Sequence, residues 1–471
     1  MSIAEALHEA SKGLVVAPAG HGKTHLIASA VINYGNGRQL ILTHTHAGVD
    51  SIRSKLRRLG SGTKNIHVET IDGFVLRYVS SYPCTCGWTG SIAQVDWSNL
   101  LKCGVLLFQN DFVRQIVKST YSGVYVDEYQ DCSLEQHSIV KELIKVVPVR
   151  VLGDHLQGIF NFKNNILVDW ERDVKGTFDI VGELVTPWRW ENAGNPELGR
   201  WLSTIRQCLI DRQAVDLSNM PACVRLVKTA SSQDVIKGCY SVISRLQDKE
   251  TLVIIGTPEN PHFTHHIAQR LSGSCGVVEP LDSKDLKEMV AKLMEADVYR
   301  KAISLLSFAI VCFSGITETS LGPELKALKK NGLPKRKKPT CITGPLMQFI
   351  EKNDLRSMIT LVESFRAFPE SHLYRKELYF AILQTISESL RSDATLTEAL
   401  VNVRENTRRL GRRLPRKAIA RTLLVKGLEF DHAIVLNADK FDSKNLYVAL
   451  TRAGKTVTIM SPIDVLTPNA N

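Results

Sequence analysis

The sequence predicts an α/β protein with two parallel-sheet cores, one carrying a short insertion and the other a helical one. Three observations predict it. Seven short apolar runs recur between stretches of helical spacing, four before about residue 155 and three after about residue 250. A glycine-bearing loop ending in Lys-Thr follows the first run directly. From Ser283 to about Glu405 the strand-like runs stop and helical spacing takes over, as at Leu286, Val290 and Leu293, or Leu378, Ile382 and Ile386. Buried parallel strands read as continuous apolar runs bounded by turn residues, whereas an amphipathic helix repeats about every 3.6 residues.

Taken in order, the first core has runs at Leu14–Val16, Leu40–Leu42, Val124–Val126 and Val149–Leu152, bounded by Gly, Asp, Thr or Pro. The second has Leu252–Ile255, Ala433–Leu436 and Val457–Ile459. The expected boundaries are 1–81 with 120–190 for core one, 82–119 for its insertion, 191–282 with 406–471 for core two, and 283–405 for the helical insertion. The smaller insertion holds Cys84, Cys86, Trp88, Trp97 and Cys103. Cys84-Thr85-Cys86 with Cys103 admits a zinc site or incidental thiols, and no fourth ligand lies nearby in the sequence.

With 471 residues, 44% apolar and 23% charged, the chain has globular composition, and disordered or collagen-like classes are excluded. Lys plus Arg number 59 against 48 Asp plus Glu, a net charge of +11 that suits a polyanion, with nucleic acid first. Ten cysteines without a regular framework suit a reducing compartment. No leader is visible, and no apolar run approaches the ~18 residues of a membrane span. A cytoplasmic protein with no membrane partner is therefore expected.

The chemistry is carried by three motifs. In Ala17-Pro18-Ala19-Gly20-His21-Gly22-Lys23-Thr24, followed by His25, glycines let backbone N–H groups approach a polyphosphate. The Lys23 ammonium would reach its β/γ oxygens and the Thr24 hydroxyl a Mg²⁺ ion. The run Gly123–Val126 ends in Asp127-Glu128, one carboxylate for the metal and one to polarise the attacking water. Gly153-Asp154 follows a further strand, and Gln157 three residues on is placed to sense the γ-phosphate or its water.

On these and five further motifs the chain resembles UvrD/Rep/PcrA-type superfamily 1 helicases. The others are Leu42-Thr43-His44-Thr45-His46, Glu69-Thr70-Ile71-Asp72-Gly73-Phe74, Thr186-Pro187-Trp188-Arg189, Lys426-Gly427-Leu428-Glu429-Phe430-Asp431, and Leu446-Tyr447-Val448-Ala449-Leu450-Thr451-Arg452-Ala453. The resemblance implies two RecA-like cores, a P-loop NTPase, with ATP and Mg²⁺ as cofactors. It implies Ala19 to His25 around the nucleotide, Trp188 stacking on adenine and Glu429 touching the ribose or the coupling network. Lys23, Asp127, Glu128 and Gln157 would act on the phosphates, and Arg189 and Arg452 would reach the γ-phosphate from the second core. His44, Thr70, Phe162 and Lys426 would lie along single-stranded DNA.

The chain also departs from that pattern. No Gln precedes the phosphate loop where the family reads adenine. Arg421 and Leu423 stand where Thr and His are usual, and Asp72 where many members carry His. Its compact form resembles the helicase-like subunit of the Gabija anti-phage system, which implies a prokaryotic cytoplasm and a partner nuclease. Two basic clusters, Lys326 to Lys338 and Arg404 to Lys417, offer phosphate contacts. The expected function is ATP hydrolysis stimulated by single-stranded or tailed duplex DNA and coupled to 3′ to 5′ movement. The alternatives are a translocase that does not unwind, or a nucleotide-gated DNA-binding subunit of a nuclease.

Overall fold

The computed structural model describes residues 1–60, 65–91, 95–160, 166–258, 260–280, 283–334, 338–410 and 414–469. The chain divides into two compact units, residues 1–215 with 442–455 and 467–471, and residues 216–441 with 456–466.

The first unit begins with α1 (Ile3–Glu9), β1 (Lys12–Val16), α2 (Lys23–Tyr34), β2 (Gln39–Thr43), α3 (His46–Arg58), β3 (Ile66–Thr70) and α4 (Ile71–Ser81). Then come α5 (Pro83–Cys86), α6 (Trp97–Phe108), α7 (Asp111–Thr120), β4 (Gly123–Val126), α8 (Leu134–Ile144), β5 (Val149–Gly153), β6 (Asp179–Glu183), α9 (Trp188–Asn192) and α10 (Pro196–Ile210). The strands form one parallel sheet in the order β3-β2-β4-β5-β1-β6. Because side chains alternate across a strand, Leu14, Leu40, Leu42, Val124, Val126, Val149 and Val151 pack on one face under α4, α6 and α8. Val15, Ile41, Tyr125 and Leu152 pack on the other under α1, α2 and α3. Burial on both faces is what makes these strands read as unbroken apolar runs.

The short insertion folds as α5 to α7 and joins this core rather than standing apart from it. Asp96 and Asn110 cap α6 and α7. Leu100, Leu107 and Phe108 of α6 are buried, with Phe108 stacked on Phe74 of α4 at 5.4 Å.

The second unit holds another six-stranded sheet, in the order Gly276–Val277, Lys417–Arg421, Leu252–Gly256, Phe430–Val435, Ala453–Ser461 and Val224–Lys228. Its pairs are parallel. Between the first two of these strands in space, and between Val277 and Lys417 in sequence, the chain leaves for a helical insertion running from helix Lys284–Leu293 to helix Leu396–Leu410. That insertion is built around Leu305, Phe349, Leu361, Phe365, Tyr379 and Ile382, with one two-residue strand pair, Phe313–Ser314 against His372–Leu373. It is fixed to its sheet at two places. Val277 N donates to Tyr374 O at 2.9 Å. The buried Arg375 binds Glu279 at 2.6 and 3.0 Å and Asp285 at 2.6 Å.

The division between the units falls after Val215 rather than at residue 190, and 442–455 joins the first unit rather than the second core. The reason is packing. Helix α10 buries Leu198, Leu202, Ile205 and Leu209, and its Arg206 reaches Asp154 after β5 at 3.1 Å. Trp190 Nε1 donates to Ala453 O at 2.8 Å, and Asn195 Nδ2 to Lys455 O at 2.7 Å. Among the described residues no helix is long and apolar enough to cross a membrane.

Candidate functional site

All six strands of the first sheet run the same way, so the segments leaving β1, β4 and β5 gather along one edge, where α/β sheets hold their ligands. The loop after β1 is held from below by Ala17 N donating to Gly153 O at 2.9 Å. Gly20 and Gly22 take φ of 75° and 91°, a conformation that favours glycine. At Gly20 a Cβ would also stand 2.7 Å from the Trp190 ring. His21 is buried and its Nδ1 lies 2.8 Å from Ala19 O; burial pushes its imidazole pKa down, so it packs neutral. Gly22 offers α2 no side-chain cap, which leaves the first amides of a twelve-residue helix facing the loop, an arrangement that suits a phosphate.

Lys23 opens α2 with its side chain almost fully buried and its Nζ 3.0 Å from Glu128 Oε1. Burial acts to lower its pKa, but the charges of Glu128 and Asp127 outweigh it and the ammonium is held above its ordinary value. Asp127 is buried after β4, and its Oδ1 accepts from Glu128 N at 2.9 Å. Burial, then the Glu128 charge, push its carboxyl up to about 7, against the pull of Lys23 and that amide. A carboxyl under such strain is one that a divalent cation neutralises. With the Thr24 hydroxyl at the start of the same helix, the residues fit Mg²⁺ and a nucleoside triphosphate. His25 is exposed, with Nε2 3.5 Å from Ser29 Oγ.

Glu128 sits at φ 55°, rare for a residue with a Cβ. Its Oε2 accepts from Gln130 Nε2 at 2.5 Å. Gln130 Oε1 in turn accepts from Asp154 N at 3.0 Å. Asp154, fully buried, accepts from Gln157 Nε2 at 3.1 Å and from Arg206. Gln157 is thus wired to the hydrolytic carboxylate through two side chains.

The resemblance assigned Arg189 and Arg452 to the second core, and the structure corrects this, since both lie in the first unit with the phosphate loop. Arg189 N donates to Gly20 O at 2.9 Å and its Nη1 to Thr451 O at 2.5 Å. Arg452 is 1% exposed, with Nε donating to Val448 O at 2.8 Å and Nη2 to Thr451 Oγ1 at 3.0 Å, so its guanidinium folds back on helix Ser443–Leu450. Trp188, 53% exposed, stands beside the loop with Cδ1 3.4 Å from where a Cβ on Gly22 would lie.

Residues expected along a nucleic acid divide between the units. His44 and Thr70 end β2 and β3 on the same sheet edge. His44 is half-buried with Nε2 3.7 Å from Cys132 Sγ. The Thr70 hydroxyl is committed to capping α4, accepting from Gly73 N at 3.0 Å. Phe162 lies outside the described residues. Lys426 and Glu429 belong to the second unit, half-buried and exposed respectively, around Gly427 at φ 79°. In that unit a cleft of 1130 Å³ opens at the carboxyl ends of Leu252–Gly256, Gly276–Val277 and Lys417–Arg421, with His262, His265, Lys284, Lys292 and Arg421 on its walls. Cys84 is exposed while Cys86 and Cys103 are buried, and among the described residues no group of three His, Cys, Asp or Glu side chains could hold a metal ion.

Sequence reasoning gave no role to Gln130, Asp154, Arg206 or Tyr447. Gln130 and Asp154 stood inside quoted motifs, which was signal enough to weigh them. Tyr447 Oη accepts from Ala19 N at 3.1 Å, a contact between residues 428 apart that nothing in the sequence announces.

The UvrD/REP helicase N-terminal domain family matches residues 91–167. An ATP-dependent helicase/nuclease protein of Alkaliphilus metalliredigens (strain QYMF) is 27% identical over 89 residues, 17% of this chain and 7% of that protein. Arterivirus nonstructural protein 10 (helicase) is similar at a TM-score of 0.33 and 11% identity, covering 98% of this chain and 62% of the viral one. Its complex with DNA gives 0.31 and 10%, covering 98% and 63%. The chain therefore spans a small part of the bacterial relative and under two thirds of the viral one. Residues 91–167, which carry Asp127, Glu128 and Gln157, are similar to the N-terminal domain of UvrD/REP helicases, and in that part the chain is UvrD-like.

Proposed function

We propose that the chain is an ATP-driven DNA motor, hydrolysing Mg-ATP under stimulation by single-stranded DNA and moving 3′ to 5′ along it. The observation that carries this reading is the buried group Lys23, Asp127 and Glu128 at the sheet edge beside the Gly20–Gly22 loop. At rest Lys23 is paired with Glu128. A polyphosphate in the loop offers the ammonium a stronger partner, which frees Glu128 to take the proton of the attacking water as its oxygen bonds to the γ-phosphorus and the β–γ bridge breaks. Bound Mg²⁺, held by Thr24 and Asp127, supplies charge neutralisation at the phosphate oxygens. Arg189 and Arg452 provide planar cationic forks for the same charge, and Trp188 a face for the base. Polarity, the tailed-duplex substrate and a place in prokaryotic cytoplasmic defence beside a partner nuclease follow from the family resemblance and belong to this proposal.

The test is steady-state ATP hydrolysis with and without single-stranded DNA. Lys23→Ala and Glu128→Gln are each expected to lower kcat by at least ~10²-fold, since such groups act as a unit. Hydrolysis that survives both substitutions sinks the reading. Strand displacement on a 3′-tailed duplex then separates an unwinding helicase from a translocase, and hydrolysis appearing only with a nuclease present marks a gated subunit.

A further inference from the structure

We infer that Gln130 is a positioning residue for hydrolysis: it holds Glu128 in place when Lys23 turns to the phosphates and ties it to the loop that carries Gln157. The inference rests on the hydrolytic reading above and extends it to a residue given no role there.

Four observations support it. The two Glu128 oxygens have separate partners, Lys23 Nζ on Oε1 at 3.0 Å and Gln130 Nε2 on Oε2 at 2.5 Å. When the ammonium moves to a phosphate oxygen, the carboxamide stays. Second, Gln130 is itself fixed, 3% exposed, with Oε1 accepting from the Asp154 amide at 3.0 Å. A carboxamide with one end on a backbone amide cannot rotate freely, so its N–H₂ group keeps one direction. Third, Glu128 is held at φ 55°, a backbone conformation that costs energy and persists where surroundings impose it. Fourth, a glycine makes room for the bridge: a Cβ on Gly153 would meet Gln130 Oε1 at 2.6 Å. Beyond the bridge, Asp154 binds Gln157 and Arg206, so any movement of this loop reaches Glu128 through one side chain.

The experiment measures kcat, KM and the affinity for Mg-ATPγS in the full chain for Gln130→Ala, Gln130→Met, which keeps the volume, and Gly153→Ala. The Gln130 variants are expected to lose about 10- to 100-fold in kcat while affinity stays within about threefold. In a Glu128→Gln background Gln130→Ala should change the residual rate by less than about twofold, because the group it positions is gone. Gly153→Ala should slow the unaltered chain more than the Gln130→Ala chain. A residue that only supports the fold would lower affinity and rate together and would add its loss to that of Glu128→Gln, and either result overturns the inference. Hydrolysis that needs Glu128 but not Gln130 refutes this assignment alone, whereas no hydrolysis by the unaltered chain refutes the catalytic reading with it.

Discussion

Gly20→Ala tests the phosphate loop at the point where conformation and packing meet. The residue sits at φ 75°, which costs an L side chain about 1–2 kcal/mol. Its new methyl would stand 2.7 and 2.9 Å from two ring carbons of Trp190 and 3.1 Å from Arg189 Cβ. That ring is 1% exposed and its Nε1 is anchored on Ala453 O at 2.8 Å, so it yields only by straining the bond or the surrounding core. Overpacking of this kind costs about 1–3 kcal/mol, which brings the expected loss to roughly 3 kcal/mol. Hydrogen exchange of the β1 and α2 amides reads this unit separately from the other. Repeating the substitution in a Trp190→Leu background removes the clash and leaves the dihedral cost, so the second measurement should come out at least ~1 kcal/mol smaller. Equal losses in both backgrounds, or a first loss under ~1 kcal/mol, would refute the reasoning.

Three further outcomes are expected. Burial alone would raise the Asp154 carboxyl, but the charges of Arg206, His155 and Lys23 outweigh it and hold it below its ordinary value. A depressed carboxyl contributes stability that is complete above about pH 3.9 and is lost as pH falls through the folded value. Asp154→Asn should therefore flatten the acid side of the urea-midpoint profile, and an unchanged profile refutes the assignment. Glu279→Ala strands the Arg375 guanidinium, 3% exposed, beside Asp285 alone of the two carboxylates it now binds, and should cost about 3 kcal/mol in denaturant unfolding, with Arg375→Met in the same chain recovering part of it. Lys326, Lys329 and Lys330 are exposed on the helical insertion, and replacing all three by Ala should lower the slope of log K against log salt for single-stranded DNA by about 2 if each meets a phosphate. An unchanged slope would make them a solvated face.

The central strands of both sheets were legible because burial on two faces leaves no polar position to break the run, as in Leu252–Gly256 or Val149–Gly153. Ile66–Thr70, Asp179–Glu183 and Val224–Lys228 were not, since each lies at a sheet edge and carries polar or charged residues on its open face. Lys417–Arg421 is central, but three apolar residues between charged ends give too short a run to notice. The helical insertion was readable from its spacing. The unit boundary was not, because α10 shows only that it has an apolar face, not which sheet covers it. In the site, Lys23, Asp127 and Glu128 were legible because the chemistry dictates their types and their place after a strand. The partners Tyr447 and Arg206 were not, as a contact made across the fold leaves no period in the sequence.

The hydrogen bonds from Trp190 and Arg189 to the 451–453 backbone bear on how the protein is made. Arg189 and Thr451 are 262 residues apart, and at about 5–20 residues per second a ribosome needs roughly 13–50 s to travel between them. Throughout that interval the nascent chain has its glycine loop and its acid pair but neither the Tyr447 hydroxyl on Ala19 nor the carbonyls that seat Trp190 and Arg189. The second unit's helices emerge and pack while the first waits. The molecule therefore acquires its finished nucleotide pocket late in synthesis, and a chain stalled before residue 442 is a holder of phosphate rather than a working hydrolase.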